Sequence, residues 1–563
     1  MPFQEYPYTR PDMDAVKSTF TDILTRLEAA SSAEAMIPII DEYYALNDQI
    51  DTQSTLASIR HSIDTKDAFY DQEQAFFDQE SPALGTYQKR FATILLASDH
   101  QAGLRSHYGD LLFDQLTLSS KTFDDAIIED LQKENALVTE YGKLTASAEI
   151  SFDGKTLNLS QMAPYMQSKD RSVRKAAQEA VSAFFEANEA TFDRIYDDLV
   201  KVRVTMAQKL GFDSFVELAY ARLGRTDYTA KEVKAYRDQI YEDVVPVVAK
   251  LMEKKRARLG LDDLKYYDLS LNFLSGNPAP KGDRAWQVEK ARRMYHDMHA
   301  ETGKFFQMMI DENLMDLDSK PGKEGGGYCT FIADEKKPFI FANFNGTSHD
   351  VDVLTHEAGH AFQAYRSKDL FAPYRWPTLE SAEIHSMSME FLAWPYMDAF
   401  FEDDTDKYKY THLAGALSFL PYGVAVDEFQ HGIYERPEMT PKERKAWWRE
   451  VEKKYLPFKD YEDNAFFERG GFWFRQGHIF SVPFYYIDYT LAQVVAFQYW
   501  VKSRENQAEA LDSYVALCGL GGSKSFTGLL ASQELDNPFK KGSVKKISAP
   551  IEAYLESVND QAL

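Results

Sequence analysis

His356-Glu357-Ala358-Gly359-His360 spells a His-Glu-x-x-His motif. On an α-helix, positions i and i+4 lie nearly above one another, so both imidazoles would point the same way and could bind one Zn²⁺. Glu357 would sit about 100° round the helix from His356, beside the metal and in reach of a water as general base. Ala358 and Gly359 are small enough to let another segment pack closely behind. A catalytic zinc takes three protein ligands and leaves one position open. The spacing for a third histidine fails, because position 366 is Arg. Three acids follow instead: Glu380, Glu383 and Glu390. Pro373 and Pro377 break the chain after Tyr365, so a second helix can begin near Thr378 and run back past the first. Glu383 and Glu390 are seven apart and would share a face of it. Spacing alone does not choose among the three acids.

A second group of residues has the chemistry to complement a metal. Gly477-His478 leads into Pro483-Phe484-Tyr485-Tyr486-Ile487-Asp488-Tyr489. Peptide hydrolysis builds an oxyanion that needs hydrogen-bond donors already in place, and phenols can donate. Tyr486 and Tyr489 are three apart and face the same way if helical. His478 could donate too, or orient the substrate backbone. A tyrosine-rich core stripe with satisfied hydroxyls would present the same pattern.

The metal motif, together with the downstream run Glu383-Ile384-His385-Ser386-Met387-Ser388-Met389-Glu390, resembles the thimet oligopeptidase and oligoendopeptidase F group of zinc metallopeptidases. The resemblance extends to Gly322-Lys323 through Tyr328-Cys329, to Phe341-Ala342-Asn343-Phe344, to Asp427 through Tyr434, and to the segment from Gly477 to Tyr489. It covers about residues 300–545. Residues 1–150 share only helical character. In that group the first Glu of a Glu-x-x-Ser-x-x-x-Glu pattern is the third ligand, which implies His356, His360 and Glu383 around one zinc per chain. His385 stands where the family has a small residue or proline, and is either a packing residue or a substrate contact. The tyrosine spacing after His478 differs from the family's. Tyr489 is therefore the first choice for oxyanion donor and Tyr486 the second, with Tyr485 still open.

The resemblance implies a zinc metalloendopeptidase, with Glu357 as base, acting on short unstructured oligopeptides. It implies a mainly α, ellipsoidal body around a deep channel with the metal on its floor. Two rivals share the motif. One is a zinc carboxypeptidase or dipeptidyl carboxypeptidase of similar helical build. The other is a non-catalytic peptide-binding body, against which an intact Glu357 argues.

The elements that must position these residues are mostly helical. Gly (28) and Pro (21) are sparse in 563 residues, as helix interiors require. Residues 1–150 read as an N-terminal helical subdomain forming part of the channel wall, and 151–563 as the catalytic region. Asp153-Gly154 between Ile150 and Leu157 predicts a β-hairpin. Two short strands around Asp334–Lys337 are expected beside the metal helix. Thr347-Ser348 with Asp350 offers that helix a hydroxyl cap, and Thr229-Ala230-Lys231-Glu232 and Thr440-Pro441-Lys442-Glu443 predict capping boxes. The charged stretch Lys442–Lys454 reads as a solvated helix face.

Composition excludes other classes. A net charge of −25 repels phosphate backbones, so nucleic acid is not an expected partner. No apolar run approaches the ~20 residues that span a bilayer. Two cysteines, Cys329 and Cys518, and no visible secretory signal point to a reducing, cytoplasmic setting.

Overall fold

Asp153 and Gly154 both take positive φ, 51° and 69°. A two-residue primed turn requires this, and it closes the predicted hairpin between β1 (Ile150–Phe152) and β2 (Lys155–Leu157). The computed structural model describes residues 1–563, and outside this hairpin and one small sheet every regular element is a helix. That sheet has the order β3-β5-β4. β4 (Tyr328–Ile332) and β5 (Lys337–Phe344) are the expected antiparallel pair around the turn at Asp334. β3 (Met315–Asp318) was not anticipated; it runs parallel to β5. Its four residues are too few for a periodic signal, and a buried lysine fixes it. The Lys323 ammonium donates to the Asp316 carboxylate at 2.6 Å, to the Asp318 carbonyl at 2.8 Å, and to the Ala342 carbonyl on β5.

Apolar burial divides between two clusters. The larger holds 112 buried residues and surrounds the metal motif. The smaller holds 20, drawn from Met13 to Leu116 together with Tyr374. Tyr374 lies in the connection between the two motif helices. Its hydroxyl donates to the Tyr108 carbonyl at 2.7 Å and accepts from the Leu112 amide at 3.1 Å. One phenol thus pegs that connection to the N-terminal helices.

Four helices carry the site: His349–Ser367, Leu379–Leu392, Thr405–Glu435 and Tyr486–Glu505. The first two cross at Gly359. A Cβ there would lie 2.5 Å from the His385 carbonyl oxygen and 2.6 Å from the Ser386 Cα, so only glycine admits this approach. The predicted boxes at Thr229 and Thr440 both form. The expected cap at Thr347-Ser348 does not. Ser348 makes no side-chain cap; instead Asp350 turns back and accepts from the Asn345 and Gly346 amides, both at 2.8 Å. The carboxylate thereby fixes the β5-to-helix turn rather than the helix end. The helix Pro441–Tyr455 also departs from expectation. One face is solvated as expected, with Lys442, Glu443, Glu450, Lys453 and Lys454 exposed, but three of its cations are buried: Arg444 pairs with Asp197 at 2.9 Å, Lys445 with Asp193 at 2.5 Å and Arg449 with Glu468 at 2.9 Å. Alternating charges look solvated in one dimension, and their partners come from distant segments. No helix is long and apolar enough to cross a membrane.

Candidate metal centre

A cavity of about 740 Å³ opens beside the crossing helices. His356, Glu357 and Glu390 line it on one side, and His478, Tyr486 and Tyr489 also face it. The helix from His349 delivers both imidazoles in the same direction, and the helix from Leu379 brings Glu383 between them. Glu383 Oε2 lies 3.1 Å from His356 Nε2 and 3.2 Å from His360 Nε2. The three donor atoms all fall within 4.8 Å of one another. Bonds of ~2.1 Å at a tetrahedral angle would put such donors about 3.4 Å apart, so the set suits a zinc-sized cation.

The tautomers make the same point. His356 Nδ1 lies 2.7 Å from Glu390 Oε1, which holds its proton there. His356 Nε2 then presents a lone pair to a carboxylate oxygen. Either a second proton on the ring, which the Glu383 and Glu390 carboxylates favour, or a cation among the three donors relieves that repulsion. Glu390 is itself oriented: its Oε2 accepts from His412 Nε2 at 2.7 Å, and His412 Nδ1 accepts from the Trp394 indole at 2.8 Å. A relay runs from Trp394 through His412 and Glu390 to His356. Glu390, one of three ligand candidates by spacing, thus sits behind the ligand rather than at the metal. His412 and Trp394 had no sequence signal, because the long helix that carries His412 reaches the site only through tertiary packing. Removing such an outer partner typically weakens metal affinity 10–100-fold. Glu390→Gln is therefore expected to raise the metal dissociation constant by about that factor, measured by competition with a chromophoric chelator.

Glu380 faces elsewhere. It accepts from Thr378 Oγ1 at 2.9 Å, and the nearby Arg225 offsets part of its burial. His385 is fully buried against Tyr514, and burial pushes its pKa down to about 3. It is a neutral packing residue, outside the cavity lining.

Glu357 is 6% exposed, and its Oε2 has no hydrogen-bond partner. Burial raises its pKa, and the two imidazoles pull it partly back. A Cβ on Gly327 would come 3.3 Å from Glu357 Oε1. The last glycine of the Gly325-Gly326-Gly327 run therefore lets the start of β4 pass close to this carboxylate.

The three tyrosines separate by environment. The Tyr485 hydroxyl donates to Glu383 Oε1, while Ser386 donates to Glu383 Oε2 at 2.9 Å. Tyr489 and Tyr486 line the cavity. Tyr422 donates to Gln476 Oε1 at 2.9 Å, so the Gln476 amide N–H faces His478 Nδ1 at 2.7 Å. His478 Nε2–H must then donate to the Tyr489 oxygen, at 3.0 Å, so the Tyr489 proton is not spent on His478. Burial lowers the His478 pKa to about 4, so the ring is neutral and keeps that tautomer.

What aims this helix was not visible in the sequence. Phe484 is buried with φ at 65°, a conformation that costs a non-glycine residue roughly 1–3 kcal/mol. Two buried side chains hold it: its amide donates to Gln430 at 3.0 Å, and its carbonyl accepts from Arg225 at 2.6 Å. Arg225 also donates to Asp488 at 2.7 Å. Gln430 belongs to the segment Asp427–Tyr434, whose part is thereby to brace the start of the tyrosine helix.

A His₂Glu donor set on crossed helices, with a free buried carboxylate beside it, is an arrangement that metallopeptidase centres use. Comparison with known proteins agrees. Residues 164–548 match the sequence model of Peptidase family M3, and residues 3–123 match that of the Peptidase M3 N-terminal domain. The chain belongs to Peptidase family M3. It is similar to a Lactococcus lactis subsp. lactis protein named oligoendopeptidase F homolog, with 22% identity over 59% of this chain and 57% of that protein. It is also similar to Group B oligopeptidase PepB of Streptococcus agalactiae, with 23% identity over 58% and 53%. The matched span is thus a little over half the length of these curated relatives. Among solved structures, PZ peptidase A with an inhibitor superposes with a TM-score of 0.99 at 51% identity, covering 99% of this chain and 100% of the other. A Bacillus anthracis chain bearing the name oligoendopeptidase F gives 0.94 at 48% identity, covering 100% and 99%.

Proposed function

We propose that the protein is a zinc metalloendopeptidase that hydrolyses internal bonds of short, unstructured oligopeptides. His356, His360 and Glu383 would hold one zinc per chain. The observation that carries this reading is the unpartnered, buried Glu357 Oε2 beside three convergent donor atoms. Leaving a buried carboxylate oxygen without a donor is costly, and here that oxygen stands beside a metal-sized donor set. Zinc, when bound, acidifies a water and polarises the scissile carbonyl. Glu357 accepts the proton of the attacking water and delivers one to the leaving amine. Tyr489, oriented by His478, donates to the developing oxyanion, with Tyr486 as the alternative donor on the same face. Tyr485 holds Glu383 in place. The relatives' names support oligopeptides as the substrate class.

The N-terminal residues 1–150 would complete the channel wall; within them Met13–Leu116 build a smaller core that Tyr374 pegs to the connection between the two motif helices. A walled channel admits an extended chain and excludes folded proteins. The two free cysteines suit the reducing cytoplasm.

Metal content in paired variants tests the ligand set. Glu383→Gln should lose most of its zinc on dialysis, whereas Glu380→Gln should retain one zinc per chain by elemental analysis. The reverse pattern would overturn the assignment.

A further inference from the structure

The same cavity has a second polar end, built from the helix Val245–Arg258 and the loop that follows it. Lys255 and Arg258 both line it and are each 8% exposed. Arg258 is fully engaged: its guanidinium binds the Asp560 carboxylate, the Asn272 carbonyl at 2.6 Å and the Tyr410 hydroxyl at 3.4 Å. Lys255 is not. Its ammonium donates to the Leu269 carbonyl at 2.7 Å and makes no ion pair. The nearest acid of consequence, Asp268, is already held by Arg171 and Arg174, each at 2.7 Å. An ammonium has three protons to place, and burying it without a counter-charge is expensive. The other groups on this stretch of wall, Ser270, Asn272 and Asn277, carry no charge.

We propose that Lys255 is a substrate-carboxylate subsite, taking either the C-terminal carboxylate of an oligopeptide or an acidic side chain near that end. The proposal rests on the peptidase reading of this cavity. An entering carboxylate would supply the missing counter-charge and two further acceptors. Burial and the Arg258 charge push the Lys255 pKa down to about 7, and an anion beside it would restore full protonation. With Arg258 locked to Asp560, Lys255 is the one cation of the pair with protons to offer. A fixed anchor in the same cavity as the metal would also set how far from the peptide's end the cut falls. His356, His360 and Glu383 would place the scissile bond through the metal they hold, and Lys255 would hold the carboxylate.

The test uses the zinc-loaded protein and one N-terminally blocked, internally quenched peptide in four forms. The C-terminus is acid or amide, and the residue nearest it is Glu or Gln. Wild type should cleave the forms bearing a carboxylate with a KM about tenfold lower than the amide-Gln form, as a charge-assisted contact predicts. Lys255→Met should collapse that ratio towards one, and Lys255→Arg should keep most of it. An effect of the acid-to-amide change identifies the C-terminus as the source; an effect of Glu-to-Gln identifies a side chain. Either supports the subsite when it is lost in Lys255→Met, and a preference that survives Lys255→Met overturns it. Equal KM for all four forms in wild type overturns it while leaving the peptidase reading intact. A Lys255→Met variant that raises KM equally for every form also overturns it. If Lys255→Met does not fold, the wild-type comparison decides alone. Failure to cleave any form would instead overturn the peptidase reading.

Discussion

Replacing Glu357 with glutamine is expected to lower kcat by 10²–10⁴-fold, the usual loss when a general base is removed. The change is nearly isosteric and removes only the ability to accept a proton. Glu357 contributes none of the three convergent donor atoms, so zinc content should stay at one per chain. Peptide affinity should persist for the same reason, because the cavity wall keeps its shape. Glu357 Oε2 has no protein partner whose loss would unsettle the fold, and replacing a buried, unpaired carboxylate by a neutral amide should leave the melting temperature unchanged or raise it. Stopped-assay kinetics, elemental analysis and a thermal melt on one preparation give all three readouts. Near-normal kcat with full zinc would exclude Glu357 as the base.

Tyr489→Phe is expected to lower kcat and kcat/KM together by roughly 10²–10³-fold, with little change in KM. A phenol aimed at a developing oxyanion meets only a weaker dipole in the bound substrate, so its contribution appears in the transition state. The hydrogen-bond chain from Tyr422 through Gln476 and His478 supports this choice, since it does not spend the Tyr489 proton on His478. Tyr486→Phe is the comparison. It shares the cavity face, and no chain of this kind orients its hydroxyl. A crippled Tyr486→Phe beside a silent Tyr489→Phe would move the donor role three residues upstream. A rise in KM alone in both variants would make these tyrosines groove lining.

The chemistry of the site was more legible than its support. The i,i+4 histidines and Glu357 follow from helical geometry within five residues, and Glu383 from a resemblance carried by the next helix. Local spacing could not tell Glu383 from Glu390, because both share one face; the structure separates them by which imidazole nitrogen each meets. Tyr485 was open for a similar reason. One residue's rotation on the helix decides whether a hydroxyl meets a ligand carboxylate or the cavity. The His412–Trp394 relay and the Arg225–Gln430 brace join segments far apart in sequence, so no local pattern announces them. The solvated reading of Lys442–Lys454 holds for one face and missed the buried Arg444, Lys445 and Arg449 on the same ground, because Asp193, Asp197 and Glu468 come from other elements. The hairpin at Asp153-Gly154 and both capping boxes succeeded because their physics is complete within four residues. The Thr347-Ser348 cap was equally local and failed, since Asp350 had a better use in the preceding turn. For residues 1–150 helical periodicity was readable, but the N-terminal domain match at 3–123 was not.

Hydrolysis by this protein is expected to fall at internal peptide bonds and to need one metal. This is tested most directly by mass spectrometry of the products from a mixture of oligopeptides blocked at both ends. The reaction is run with the zinc-loaded protein, with added chelator, and after zinc is restored. Internal cleavage should stop with chelator and return with zinc. Products released only from unblocked ends, or cleavage indifferent to the chelator, would contradict it.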